Sequence, residues 1–189
     1  MKIFRIILIT IACAWLHTSS SNAQDYYSAG KEIAGNGFAY KCEEWFCRLR
    51  VYNANNRWTR VQMTRLNGAP LPDNPNLHVE YMTGSSIVQA ANTIHEIVYS
   101  VLSEPEKAML RKTEGIMEIL VYIDIKTGKA MEVEYAFFPG EGYLKIPPEK
   151  YFAMEQLIMQ KVCVEITEHG KDRNYLIISS ERIMSRNIK

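Results

Sequence analysis

The segment Ile116 to Phe138 constrains the fold most, because alternation and turn chemistry there agree on one arrangement. Met117, Ile119, Val121 and Ile123 recur at every second position of one stretch, and Met131, Val133, Tyr135 and Phe137 do so on the next. A strand puts alternate side chains on one face, so both stretches carry an apolar face. Taking Lys126-Thr127-Gly128 as a three-residue loop pairs Ile123 with Met131, Val121 with Val133, Ile119 with Tyr135 and Met117 with Phe137. It also puts Gly128 at the left-handed position such loops need, where a residue without Cβ meets no clash. The other face carries Glu118, Asp124, Glu132 and Glu134. We read these carboxylates as a solvated outer face, the commoner use of such a row, in preference to a cation site.

A hairpin with one apolar face needs cover, and two amphipathic segments offer it. Ile87, Ala90, Ala91, Ile94, Ile97, Val98 and Val101 follow helical spacing, which predicts a helix over Ile87 to Leu102 with Ser86 and Gln89 as its capping box. Ser103-Glu104-Pro105-Glu106 restarts a helix that runs to about Lys112. Pro147-Pro148-Glu149 opens another, Pro148 to Lys161, with Tyr151, Met154, Leu157 and Ile158 inward. Val162 to Thr167 and Arg173 to Ser180 read as a final strand pair.

Upstream, Phe38–Cys42, Cys47–Tyr52 and Trp58–Leu66 read as a three-stranded meander, with Asn53 to Asn56 as a turn. If Glu43 to Phe46 is the first loop, Cys42 lies opposite Cys47, Tyr40 opposite Leu49 and Phe38 opposite Val51. Opposed cysteines reach bridging distance, so a Cys42–Cys47 disulfide is expected. Two reduced, packed thiols are the alternative. Cys163, in Val162-Cys163-Val164, reads as a buried inert thiol. The stretch Asn67 to Pro75 holds three prolines and is the best internal boundary. The expected fold class is therefore α+β. One or two antiparallel sheets carry the helices Ile87–Leu102 and Pro148–Lys161 on one face, and regions 24–84 and 85–189 form one compact unit.

The N-terminus reads as a signal peptide over residues 1–23. Lys2 and Arg5 precede the apolar run Ile6 to Leu16, which is too short to span a bilayer, and Ser21 and Ala23 form a small-x-small cleavage pattern. Cys13 as a lipoprotein cysteine is the poorer fit, because Thr10 stands three residues before it and the apolar run continues past it. Cleavage would leave no membrane anchor and an exported chain in the periplasm or outside the cell. Removing Lys2 and Arg5 from 22 basic residues leaves 20 against 21 acidic ones, a formal charge of −1. Such balance gives no footprint for nucleic acid or an anionic membrane.

Glu114-Gly115-Ile116, the run Ile119 to Asp124, Thr127-Gly128-Lys129, Val133 and the helix that follows resemble the C-terminal domain of TonB-type proteins, over residues 106–180. That resemblance implies a small α+β unit whose last strand lies at a sheet edge and pairs with an extended peptide. Here the matching edge is Asn174, Tyr175, Leu176, Ile177 and Ile178, running on to Ser180. The whole chain, with Ser21-Asn22-Ala23-Gln24 and Asp25-Tyr26-Tyr27, is similar to uncharacterised secreted proteins of gut Bacteroidetes.

Catalytic motifs do not emerge. His95-Glu96 is half of a zincin motif, but Tyr99 stands where the second ligand belongs. Cys163 and His169 flank a predicted turn without an identifiable oxyanion donor. Gly35-Asn36-Gly37 opens no helix, so it cradles no phosphate. No metal ligand set or cofactor motif is found, and no catalytic residue is assigned. Trp45 and Trp58, with Tyr26 and Tyr27, lie in or beside loops and form either an exposed aromatic surface or core packing. The expected function is a non-enzymatic binding module for a protein or peptide. A glycan-binding surface on Trp45 and Trp58 and a secreted hydrolase are the alternatives.

Overall fold

The computed structural model describes residues 26–71, 81–113, 115–138, 142–180, 183–184 and 188. The leader with Cys13, the prolines at 72 and 75, and His78 lie outside the described residues. The expected α+β class is what the chain adopts. The strands are β1 (Glu32–Gly35), β2 (Phe38–Trp45), β3 (Arg48–Asn53), β4 (Ile116–Ile123), β5 (Ala130–Phe137), β6 (Leu176–Ser179) and β7 (Ile183–Met184). They form one antiparallel sheet in the order β1-β2-β3-β5-β4-β6, with β7 also pairing β4. The helices are α1 (Gly84–Val101), α2 (Glu104–Lys112) and α3 (Pro148–Lys161).

The hairpin expected from the sequence is present. Met117 faces Phe137, Ile119 faces Tyr135 and Val121 faces Val133, and Gly128 has φ of +70°. A bulge between Tyr122 and Ile123 then sets Ile123 opposite Ala130 instead of Met131. One extra residue in one strand is enough to move every later pair. The regions on either side of the proline-rich stretch share this sheet, because β3 pairs β5 from Leu49–Phe137 to Tyr52–Glu134.

The apolar face packs on α1 and α3. Tyr40, Val51, Met117, Ile119, Val121, Val133, Tyr135 and Phe137 meet Ile94, Val98, Tyr151, Met154 and Ile158 in one buried core. That core is rich in tyrosine, and most of its hydroxyls are spent on hydrogen bonds. Tyr135 donates to the Tyr151 carbonyl and Tyr151 to the Tyr143 carbonyl, both at 2.7 Å. Tyr40 donates to the Glu155 carboxyl at 2.5 Å. Tyr27 packs on Phe137 and Tyr151, so it belongs to the core and not to an exposed aromatic surface. The Ser103–Glu106 capping box opens α2 as expected. Helix α1 begins three residues earlier than expected, at Gly84 after Thr83, and Ser86 and Gln89 do not cap it.

Four expectations are corrected. The turn between β2 and β3 is only Phe46-Cys47, so Trp45 pairs Arg48 and Cys42 faces Val51. Cys47 then sits at the hairpin tip, beyond the Trp45–Arg48 pair and so more than three residues of strand, about 10 Å, from Cys42. Cys42, Cys47 and Cys163 are all free. The faces were read correctly and the register was not, since a shift by an even number of residues keeps each side chain on its own face. Second, Cys163 is exposed, bridging Lys129 through its backbone. Third, Val162 to Thr167 makes only isolated bridges at Cys163 and Ile166, and β6 pairs β4 instead. Fourth, Trp58 to Leu66 is not a third meander strand. It starts as a 3-10 turn, Trp58–Arg60, and crosses the outer face, because β5 already holds the place beside β3.

Candidate functional site

The outer face of the sheet, expected to be a solvated row of carboxylates, is where polar chemistry concentrates. Glu134 is 1 % exposed and Glu132 8 %. Both are buried because the 3-10 turn lies over them, and each is heavily bonded. Glu132 accepts backbone N–H bonds from Arg57 at 2.6 Å, Trp58 at 2.7 Å and Thr59 at 3.1 Å. A side chain thereby satisfies the turn's free N–H groups, as a cap does for a helix. Glu134 receives a forked pair from Arg50, Nε at 2.6 Å and Nη2 at 2.7 Å, and a third bond from the Tyr122 hydroxyl at 3.1 Å. Nη2 of Arg50 also reaches the Thr59 carbonyl at 3.1 Å. The Glu134 bonds raise the Arg50 guanidinium above its ordinary pKa, against the opposing effect of burial, so its charge is fixed. Glu118 pairs Arg48 at 3.1 Å and accepts from the Ser179 hydroxyl.

Arg50, Glu134 and Tyr122 belong to a groove of about 480 Å³, lined also by Trp45, Thr59 to Gln62, Leu120, Tyr175 and Ile177. Two sets of residues singled out separately in the sequence thus meet in one place. Trp45 comes from the aromatic candidates, and Tyr175 and Ile177 come from the edge candidates. Trp45 is 44 % exposed and lies over Arg50, its ring 5.2 Å from the guanidinium. Trp58 does not join it. It is half-buried, packs on Tyr175 at 5.3 Å and carries Arg57 against its ring. Burial pushes the Tyr175 phenol up to about 12, aided by the charges of Glu132 and Glu134, and pushes Tyr122 higher still, so both stay protonated. Tyr175 donates its proton to the Val61 carbonyl, which pins the segment after the 3-10 turn.

Strand β6 forms the sheet edge beside this groove. Asn174, two residues before it, is covered: it donates to the Gln62 carbonyl, and its backbone and side chain bond Thr64. From Leu176 to Ser179 no described residue pairs the outer side. The Ser180 N–H points to the Ile119 carbonyl of β4, so by strand alternation Ile177 and Ser179 direct their N–H and C=O groups away from β4. Those backbone groups have no partner among the described residues. Leu176 and Ile178 are buried toward the helices and belong to the core.

A second cavity, of about 380 Å³, lies on the opposite side of the hairpin tip, lined by Cys47, Arg48, Leu49, Phe137, Phe138 and Leu144 among others. Phe46, at the tip, is 83 % exposed with φ of +55°. Among the described residues, no three His, Cys, Asp or Glu side chains cluster as a metal site, and no helix is long and apolar enough to cross a membrane. His95 is half-buried on α1 and His169 exposed at the start of a 3-10 turn.

One antiparallel sheet with helices on one face and a polar groove on the other defines an α+β protein. The chain belongs to the DUF5043 family, a domain of unknown function, whose family model matches residues 24–180. It is similar to the crystal structure of a DUF5043 family protein from Bacteroides uniformis ATCC 8492, with a TM-score of 0.70 at 20% identity. The likeness covers 84% of this chain and 86% of that one, and at such identity it shows the shared fold alone. No curated protein matches the chain.

Proposed function

We propose that this is an exported, non-enzymatic binding module that takes an extended peptide or protein segment as an added strand on β6. The observation that carries the reading is the unpaired edge: Ile177 and Ser179 turn their backbone donors and acceptors outward without partners among the described residues. A strand laid there would make main-chain bonds to β6, and its alternate side chains would lie beside Ile177 at the groove. The order helix, strand, strand, helix, strand over residues 106–180, which resembles TonB C-terminal domains, supports the same use of the edge. Export is supported by the leader pattern and by a family match that starts at Gln24, directly after the expected cut.

The test is a proline at position 177. Because the Ile177 N–H faces away from β4, Ile177→Pro removes an outward donor without breaking a bond to β4. The variant is expected to melt within a few degrees of the parent and to lose partners captured from native envelope extract. Retention of every partner by a folded variant would rule out strand addition along this edge.

A further inference from the structure

The exposed large apolar side chains of the described residues are scattered except in one place. Val61, Leu66 and Val88 come from separate stretches, whereas Trp45 and Phe46 are adjacent at the tip of the β2–β3 hairpin, 44 % and 83 % exposed. Single exposed apolar residues are ordinary, and neighbouring ones mark a contact surface. Phe46 stands there at a cost to the fold. It is the one non-glycine residue at positive φ among the described residues, +55°, in a two-residue turn whose left-handed position glycine fills without a clash. Strained backbone under a bulky side chain is a mark of positions kept for something besides folding. The Phe46 ring meets Trp45 edge-on at 5.2 Å, and the Arg48 and Arg50 guanidinium groups hold the Trp45 ring from 5.6 and 5.2 Å. The pair is a fixed apolar point that projects outward and offers no recess.

The neighbourhood of the tip decides what it meets. Tyr26, the first described residue, donates its N–H to the Leu144 carbonyl at 3.2 Å. Leu144 lines the second cavity together with Cys47 and Arg48, so the chain enters the fold beside the hairpin tip. From the expected cut after Ala23 to Tyr26 there is at most about 10 Å of extended chain. The proposed leader, with its apolar run Ile6 to Leu16, would hold this end of the fold against the bilayer until it is removed.

We infer that the Trp45–Phe46 tip inserts into the surface of the membrane that the chain crosses. Phe46 enters the boundary between headgroups and acyl chains, and Trp45 lies at headgroup level, where an amphipathic ring is favoured. Arg48, 29 % exposed, stays behind them at the polar level with its stem along the rings. A formal charge of −1 after cleavage gives no electrostatic pull, so the rings carry the attachment and salt leaves it unchanged. The inference takes its membrane from the leader reading and nothing from strand addition, since Phe46 does not line the groove beside β6.

Vesicle cosedimentation and tryptophan fluorescence of the exported chain, Gln24 to Lys189, which holds every strand and helix of the described residues, test the inference. In a Trp58→Phe background Trp45 is the one tryptophan left in that chain. Its emission is expected to shift to the blue on adding phosphatidylcholine vesicles, equally at low and high salt. Phe46→Gly is expected to weaken vesicle binding about tenfold, the worth of burying one large apolar side chain. The same variant is expected not to lower the melting temperature, because glycine accepts the left-handed turn. A ring kept for folding would give the opposite pair of effects. No blue shift and no cosedimentation at millimolar lipid, full binding by Phe46→Gly, or a lower melting temperature for that variant would overturn the inference. Binding to phosphatidylglycerol vesicles alone, lost in salt, would overturn insertion in favour of charge attraction. A blue shift that grows with protein concentration in the absence of lipid would overturn it in favour of a second copy meeting tip to tip.

Discussion

Replacing Glu132 by alanine tests the arrangement of the whole outer face. Its carboxylate holds three N–H groups of the 3-10 turn, at 2.6, 2.7 and 3.1 Å. After truncation, the Arg57 and Trp58 amides lie in exposed or half-buried residues and can rebond to water, at a loss of roughly 0.5–1.5 kcal/mol each. Thr59 is buried, so its N–H would stay unpaired, at about 1–3 kcal/mol. Together these give a destabilisation of about 4 kcal/mol, or about 8–16 °C in melting temperature for a domain of this size. Glu132→Gln should fall between, since its amide oxygen still accepts while its NH₂ faces donors. Urea unfolding followed by tryptophan fluorescence measures the stability. Amide hydrogen exchange at Trp58 and Thr59 reports whether the turn loosens with it. A solvated carboxylate on a sheet face would instead change stability by no more than about 0.5 kcal/mol. A result of that size for Glu132→Ala, or a loss with exchange at Trp58 and Thr59 unchanged, would refute the capping argument.

Three further outcomes follow from other parts of the molecule. Burial raises the Glu155 pKa in the folded protein, with Tyr40 and Asn53 donating to it in partial opposition. The folded state therefore binds the extra proton, and this contribution to stability is full below the ordinary carboxylate range and fades as pH rises through the raised value. The melting temperature of Glu155→Gln minus that of the parent should accordingly grow between pH 4 and pH 8, and a flat or falling difference would sink the assignment. Gly128→Ala places a Cβ 2.1 Å from the Val164 carbonyl oxygen at φ of +70°, whereas at Gly68, φ of +81°, a Cβ meets nothing within 4 Å. Denaturant titration should find a cost of about 2–4 kcal/mol for the first and about 1 kcal/mol for the second. Thiol labelling should modify Cys47 and Cys163 in the native protein and Cys42 only on unfolding, because Cys42 is buried and its thiol pushed up to about 11; a protected Cys47 would restore the bridge to Cys42.

The sequence by itself determined what rests on local periodicity. The β4–β5 pairing, the left-handed Gly128, the α2 cap and the inward face of α3 follow from spacing and turn chemistry within about twenty residues, and the protein has them. It also determined which residues of β2 and β3 face the core, because strand parity survives a register error of four. Tertiary structure decided the rest. The two-residue turn at Phe46-Cys47 puts an aromatic at φ of +55°, a conformation that residue preference argues against, so the register and the disulfide expected from it were not legible. Glu132 and Glu134 looked solvated because alternation says which face a side chain takes and nothing about what covers that face. Their burial depends on a segment some seventy residues earlier folding back across the sheet, and the N–H groups and guanidinium it brings are what let carboxylates be buried at all. The groove exists for the same reason: the stretch from Trp45 to Thr59, Tyr122 and Ile177 are distant in the chain and meet only because β3, β5, β4 and β6 lie side by side.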